Sequence, residues 1–265
     1  MNAERGMMNQ DRSSFIISSI AFMEVDPIRQ VIERTGASGE PEIEFIKRAP
    51  VTAKRLGVFA SSFNPTTVAH VEMMRLAADK FSLDETLALA GKANADKTDY
   101  ECSLEERLSM MALAFDYDAE VSAGLSSHAY FVDVLEALLR IYPPPARLHF
   151  IMGVDTFERV LDPEDKYTAR YHRSFSNRRE ALLYLFSHSR FIVAGRAGRG
   201  PEDVSALVAR EPEYLQRRVS YIDLPGDMGE RSATEVRERL REGLSISGLV
   251  PEPVEQYIKE RSLYR

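Results

Sequence analysis

Thr67 and His70 stand three residues apart at the start of a stretch with helical period, at the end of Leu56-Gly-Val-Phe-Ala-Ser-Ser-Phe-Asn-Pro-Thr-Thr-Val-Ala-His70. The apolar run reads as a strand ending in small residues, Asn64-Pro65 as a turn, and Thr66 or Thr67 as the start of a helix. In the first turn of such a helix the side chains of Thr67 and His70 share one face, beside backbone N–H groups that lack an intrahelical acceptor. A hydroxyl, an imidazole and a helix N-terminus at one point make a phosphate site, where a protonated His70 could stabilise charge developing on a transferred phosphoryl group. A second set lies at Arg231-Ser-Ala-Thr-Glu-Val-Arg237. Ser232 or Thr234 can cap a helix whose next turn carries Arg237, which brings together hydroxyls, amide donors and a guanidinium fork.

The elements that must position these groups follow from periodicity. Leu56 to Phe59, Thr86 to Ala90, Leu148 to Met152, Phe191 to Ala194 and Val219 to Leu224 read as buried strands. Between them His70 to Lys80, Leu104 to Phe115 and Val132 to Ile141 carry apolar residues at a period near 3.6 and read as helices. Strand alternating with helix predicts an α/β fold: a Rossmann-like, doubly wound, mostly parallel sheet with helices on both faces. Ligands bind such sheets beyond the carboxyl ends of the strands, which is where both sets of groups fall. Residues 1–52 differ in composition and read as an N-terminal extension to which no role is assigned, with residues 53–265 as the catalytic domain.

Composition narrows the function. The 265 residues carry 34 Lys and Arg against 41 Asp and Glu, a net charge of −7, which gives no footprint for long nucleic acids. No apolar run approaches the length of a membrane crossing, and the single Cys102 cannot form an internal disulfide. With no secretory leader evident at the N-terminus, the expected setting is cytoplasmic. No Gly-x-x-x-x-Gly-Lys-Ser/Thr loop occurs, Gly195, Gly198 and Gly200 have the wrong spacing for a dinucleotide fingerprint, and five scattered His residues with one Cys predict no protein-built metal site. The basic stretch Arg170 to Arg179 reads as a solvated face.

The first loop resembles the signature of the nucleotidyltransferase superfamily that includes the nicotinate and nicotinamide mononucleotide adenylyltransferases, typically Gly-x-Phe-Gly-Gly-Ser/Thr-Phe-Asp/Asn-Pro-x-His/Thr-x-Gly/Ala-His. Gly57, Phe59, Ser62, Phe63, Asn64, Pro65, Thr67, Ala69 and His70 fit it. Ala60 and Ser61 stand where that family usually has two glycines, and their Cβ atoms could narrow the approach of a phosphate. Ser232 to Arg237 resembles the family's Ile-Ser-Ser-Thr-x-Ile-Arg motif. Phe150-Ile-Met-Gly-Val-Asp155 resembles its strand and Gly-x-Asp loop, and Ser127 to Leu135 its Ser-Tyr-Thr-x-Asp-Thr-Leu segment. Val193-Ala-Gly-Arg196-Ala-Gly198 resembles its Arg-x-Gly loop, so the matches run in order over roughly residues 55 to 265.

The resemblance implies an adenylyltransferase in which a mononucleotide phosphate attacks the α-phosphorus of ATP and pyrophosphate leaves. His70 would contact the α-phosphate and Thr67 would hold it. Phe59, Ala60, Ser61, Ser62 and Phe63 would border the nucleotide phosphates, with Ser232, Thr234 and Arg237 on the leaving pyrophosphate. Lys97, or Lys92 in the same loop, would add a phosphate contact, and Gly153, Asp155 and Arg196 would line the nucleotide pocket. Mg²⁺ would bridge phosphate oxygens, bound largely through substrate and water. The family often stacks its pyridine acceptor on Trp, and this chain has none. Tyr130 or Phe131 would take that place, with Phe157 as a further ring. The expected partners are therefore ATP and a pyridine mononucleotide, with oligomeric state open. The alternatives are a related transferase with another phosphorylated acceptor or CTP, or a non-catalytic nucleotide-binding protein of the same fold.

Overall fold

A computed structural model describes residues 26–36, 38–92, 100–195, 198–226, 228–229 and 231–265. The first described elements are α1 (Asp26–Arg34) and β1 (Ile43–Lys47), both within the stretch whose composition sets it apart. There follow β2 (Arg55–Ser61), α2 (Val68–Phe81), β3 (Glu85–Gly91), α3 (Leu104–Phe115), β4 (Val121–Ser126), α4 (Phe131–Ile141), β5 (Arg147–Gly153) and α5 (Val154–Leu161). After a 3₁₀ turn at Thr168–Arg170 come α6 (Arg178–His188), β6 (Ser189–Ala194), α7 (Pro201–Val208), α8 (Glu213–Gln216) and β7 (Val219–Ile222). Two helices, α9 (Ala233–Arg241) and α10 (Glu252–Arg261), complete the described elements.

The seven strands form one sheet in the order β1-β4-β3-β2-β5-β6-β7. All neighbours pair parallel except β1, which runs antiparallel to β4 at the edge. All five strands read from the sequence are present, and the parallel, doubly covered sheet is the predicted class. Of the two strands that periodicity did not announce, β1 and β4, the second explains itself. β4 is Val-Ser-Ala-Gly-Leu-Ser, fully buried yet built from small residues without an apolar run. Gly124 is small there because a Cβ would come within 2.9 Å of the Glu44 backbone oxygen in β1.

Alternation along each central strand divides the core between the two faces. Leu56, Val58, Leu87, Leu89 and Phe150 point to the face covered by α4 to α7. Phe59, Ala88, Ala90, Ala123 and Ile151 point to the face covered by α1 to α3. The alanines on that second face leave room for Met73, Met74 and Met111 on the covering helices. A third cluster, including Val236, Val254 and Ile258, fastens α9 and α10 to the outside of α3.

Candidate active site

β2 and β5 lie side by side in mid-sheet, and the chain winds outward from them in opposite directions, which leaves a crevice at their carboxyl ends. A cleft of about 340 Å³ occupies it, within the usual range for a small-molecule site. Ala60, Ser61, Ser62 and His70 line it from the β2 side of the switch, together with Thr234 and Arg237. The two groups of residues singled out in the sequence, about 160 positions apart, thus meet at one cavity.

The first loop sets its histidine through a reciprocal cap. Thr67, with extended backbone, is the N-cap of α2: its Oγ1 accepts from the His70 N–H at 3.4 Å, and its own N–H donates to His70 Nδ1 at 3.0 Å. Thr67 is therefore the capping residue, and Thr66 is buried beside it. An Nδ1 that accepts a hydrogen bond carries no proton, so the neutral ring holds its proton on Nε2. The geometry thus favours a neutral imidazole that donates from Nε2 over the imidazolium anticipated from sequence. Phe59 and Phe63 back the ring, with centroids 5.5 and 5.6 Å from it. Thr67 is 1% exposed and stands behind His70 as its support.

The loop between β2 and α2 is fastened from three distant elements. Arg237 Nη1 donates to the Asn64 carbonyl at 2.7 Å, and Arg107 Nη1 donates to the Ser62 carbonyl at 2.9 Å. Tyr264 Oη donates to Asn64 Oδ1 at 2.7 Å. These contacts hold Phe63, between the two anchored residues, at φ 48°, a left-handed conformation uncommon for a residue with a side chain. Tyr264 is buried, and its removal can be measured: Tyr264→Phe leaves Asn64 Oδ1 buried without that donor and is expected to cost about 1–3 kcal/mol. Chemical denaturation would read the loss, and an unchanged midpoint would show that the contact carries no weight.

The second motif behaves as its pattern suggests. Ser232 is the N-cap of α9, accepting from the Glu235 N–H at 3.0 Å. Thr234 Oγ1 accepts from Arg237 Nη2 at 3.2 Å, and Glu101 lies 3.4 Å from Arg237 Nε. Arg237 is thus a half-sheltered fork whose donors are pre-aligned by a carbonyl, a hydroxyl and a carboxylate.

The remaining residues read from sequence separate. Tyr130 and Phe131 both line the cleft at the start of α4. Tyr130 packs with Tyr167 and Tyr171 at 5.6 and 5.5 Å, and these two tyrosines also line the cleft. Phe157 is fully buried against Phe191 and belongs to the core. Gly153 closes β5 as the N-cap of α5. Asp155 pairs with Arg199 at 3.0 Å and is exposed, whereas Thr156 and Arg159, one position and one helical turn further along α5, line the cleft. Lys92 turns to α1, where its Nζ donates to the carbonyls of Ile32 and Thr35, each at 2.6 Å. Lys97 and Arg196 lie outside the described residues. Within the basic stretch, Arg178 is structural: it donates to the Leu161 carbonyl at 2.6 Å and pairs with Glu211.

Several cleft residues were not singled out from the sequence: Tyr100, His128, Arg159, Tyr167 and Tyr171. Asp133 organises part of that wall. Its fully buried carboxylate accepts from the His172 N–H at 2.9 Å and so holds the segment carrying Tyr167 and Tyr171 against α4; burial pushes its pKa up to about 6. Among the described residues no group of three or more His, Cys, Asp or Glu side chains is placed to hold a metal ion. No helix among them is long and apolar enough to cross a membrane.

Sheet order, switch-point cleft, capped histidine and Arg-bearing second helix together place convergent polar groups at the carboxyl ends of a doubly wound sheet. The chain belongs to the cytidylyltransferase-like family, whose model matches residues 58–239. It is similar to two curated relatives, each named probable nicotinate-nucleotide adenylyltransferase. One, from Desulfatibacillum aliphaticivorans, is 29% identical over 237 residues, covering 79% of this chain and 99% of the relative. The other, from Desulfitobacterium hafniense, is 28% identical over 219 residues, covering 80% and 96%. Among solved structures the fold is similar to a Plasmodium falciparum nicotinic acid mononucleotide adenylyltransferase complexed with NaAD. That comparison has a TM-score of 0.58 at 15% identity, with 79% of this chain and 97% of that chain covered. The resemblance noted in the sequence is borne out.

Proposed function

We propose that the chain transfers the adenylyl part of ATP to nicotinate or nicotinamide mononucleotide, forming the dinucleotide and releasing pyrophosphate. The observation that carries the reading is the His70 cap. One ring nitrogen is committed to the Thr67 amide, and His70 lines the cleft at the α2 N-terminus together with Arg237. Such a transfer needs the two phosphates held in line and their charge neutralised, with no covalent enzyme intermediate. The acceptor phosphate attacks the α-phosphorus of ATP as the bond to the bridging oxygen of pyrophosphate breaks. His70 donates to an oxygen of the reacting phosphate, and Arg237 with Thr234 neutralises the departing pyrophosphate. Mg²⁺ enters with ATP as part of the substrate, held by phosphate oxygens and water. The single Cys102, a buried thiol whose pKa burial pushes up to about 12, suits a reducing cytoplasmic setting.

The relatives' names support a pyridine mononucleotide as acceptor. The rings of Tyr130, Tyr167 and Tyr171 supply flat faces at the cleft in a chain that has no Trp. The test is pyrophosphate release from ATP and Mg²⁺ with nicotinate mononucleotide and with nicotinamide mononucleotide in separate reactions. Release with one of them, together with the matching dinucleotide, is the expected result. Silence with both, while ATP binds, would overturn the acceptor assignment and direct the search to other phosphorylated acceptors.

A further inference from the structure

Arg107 lies on α3, behind the phosphate loop, and is 3% exposed. No carboxylate lies within ion-pair distance of it among the described residues. Its Nη1 donates to the Ser62 carbonyl at 2.9 Å, its guanidinium carbon lies 4.0 Å from the centroid of the Tyr100 ring, and its Nε is buried without a hydrogen-bond partner. Arg237 differs in having Glu101 beside it. A buried cation without a counter-ion is a costly arrangement, and here it is placed one residue's thickness from a cleft wall, since both Ser62 and Tyr100 line the cavity. The Ser62–Phe63 peptide is trans, so a carbonyl turned to Arg107 points the Phe63 N–H in the opposite direction, away from Arg107.

We propose that Arg107 is a positioning residue for the anion site: it holds the Ser62 carbonyl so that the next amide faces the phosphates, and its uncompensated charge takes the bound nucleotide as counter-ion. The inference rests on the reading of this loop as the phosphate site and assigns a role to a residue that touches no substrate. A purely structural Arg107 would show its loss as a lower melting temperature. A charge held in readiness for an anion shows it as weaker binding in a protein that is no less stable.

Arg107→Met keeps the approximate volume and removes the buried charge, so the unliganded protein is expected to melt no lower than wild type. Calorimetric titration with ATP and Mg²⁺ should show affinity reduced about tenfold, and kcat for pyrophosphate release should fall at least as far, with KM for the mononucleotide within about twofold of wild type. Wild-type ATP affinity and kcat in the folded variant overturn the proposal, as does an activity loss matched by a drop in melting temperature. Should Arg107→Met not fold, Arg107→Lys carries the test. It keeps the charge but loses the planar fork, so ATP affinity should stay within about threefold while kcat falls about tenfold; wild-type kcat there overturns the proposal. The ATP titration needs no acceptor, so a wild-type protein inactive with both mononucleotides would unseat the acceptor reading and leave this one decidable.

Discussion

His70→Ala is expected to fold normally and to turn over at least about 100-fold more slowly, the cost of removing one well-placed donor from a developing charge. Folding should survive because the ring is half-buried, and its contributions to the fold include one half of a reciprocal cap and the ring contacts to Phe59 and Phe63. Losing a cap of this kind costs about 1 kcal/mol, which a domain with two large apolar clusters tolerates. The loss should fall on kcat more than on KM for either substrate, since the donor is asked to act on charge that appears only during transfer. His70→Gln can still place an N–H donor near the cleft and should recover part of the rate. Near-normal turnover in the alanine variant, measured as pyrophosphate release with saturating substrates, would remove His70 from the reaction.

Arg237→Ala should lose about as much or more in kcat/KM for ATP, because two functions end together. In the proposed reaction the guanidinium would neutralise pyrophosphate, and its Nη1 also fixes the Asn64 carbonyl of the loop that precedes α2 and His70. Hydrogen bonds of a charged donor are worth about 1.5–3 kcal/mol each, so losing both roles amounts to a factor of 100 or more in rate. Arg237→Lys should recover little, since one ammonium cannot serve a carbonyl, the Thr234 hydroxyl and a phosphate in the fixed directions of a planar fork. Product inhibition gives the independent reading: pyrophosphate should inhibit Arg237→Ala far more weakly than wild type. If pyrophosphate inhibits both equally, the leaving group is held elsewhere.

The parts of the site that could be read from the sequence are those whose geometry is local. Thr67 and His70 are fixed relative to one another by a single helical turn, and Ser232 and Arg237 by the start of another, so spacing alone put each pair in place. Arg107 and Tyr264 reach the loop, and the tyrosines at 167 and 171 the cleft, through tertiary packing that local spacing does not encode. Charge type alone does not show which partner a side chain takes. Asp155 and Lys92 occupy loops at the correct strand ends, yet each found a nearer partner, Arg199 for one and the C-terminal carbonyls of α1 for the other. The sheet was legible wherever strands are apolar. β4 escaped because a strand packed between β3 and β1 can be made of Ser, Ala and Gly when small size is what its neighbours require.

The fastening of the phosphate loop has a consequence for the timing of synthesis. Asn64 is separated by 173 residues from Arg237 and by 200 from Tyr264. At about 5–20 residues per second, roughly 10–40 s pass on the ribosome between the appearance of the loop and that of its last anchor. Through that interval β2 and α2 can exist as a strand and a helix, but the turn between them has at most the Arg107 bond and lacks the two from Arg237 and Tyr264. The bonds from Arg237 and Tyr264 that give the turn one shape therefore form only after α9, α10 and the residues beyond them have been made and have docked on α3.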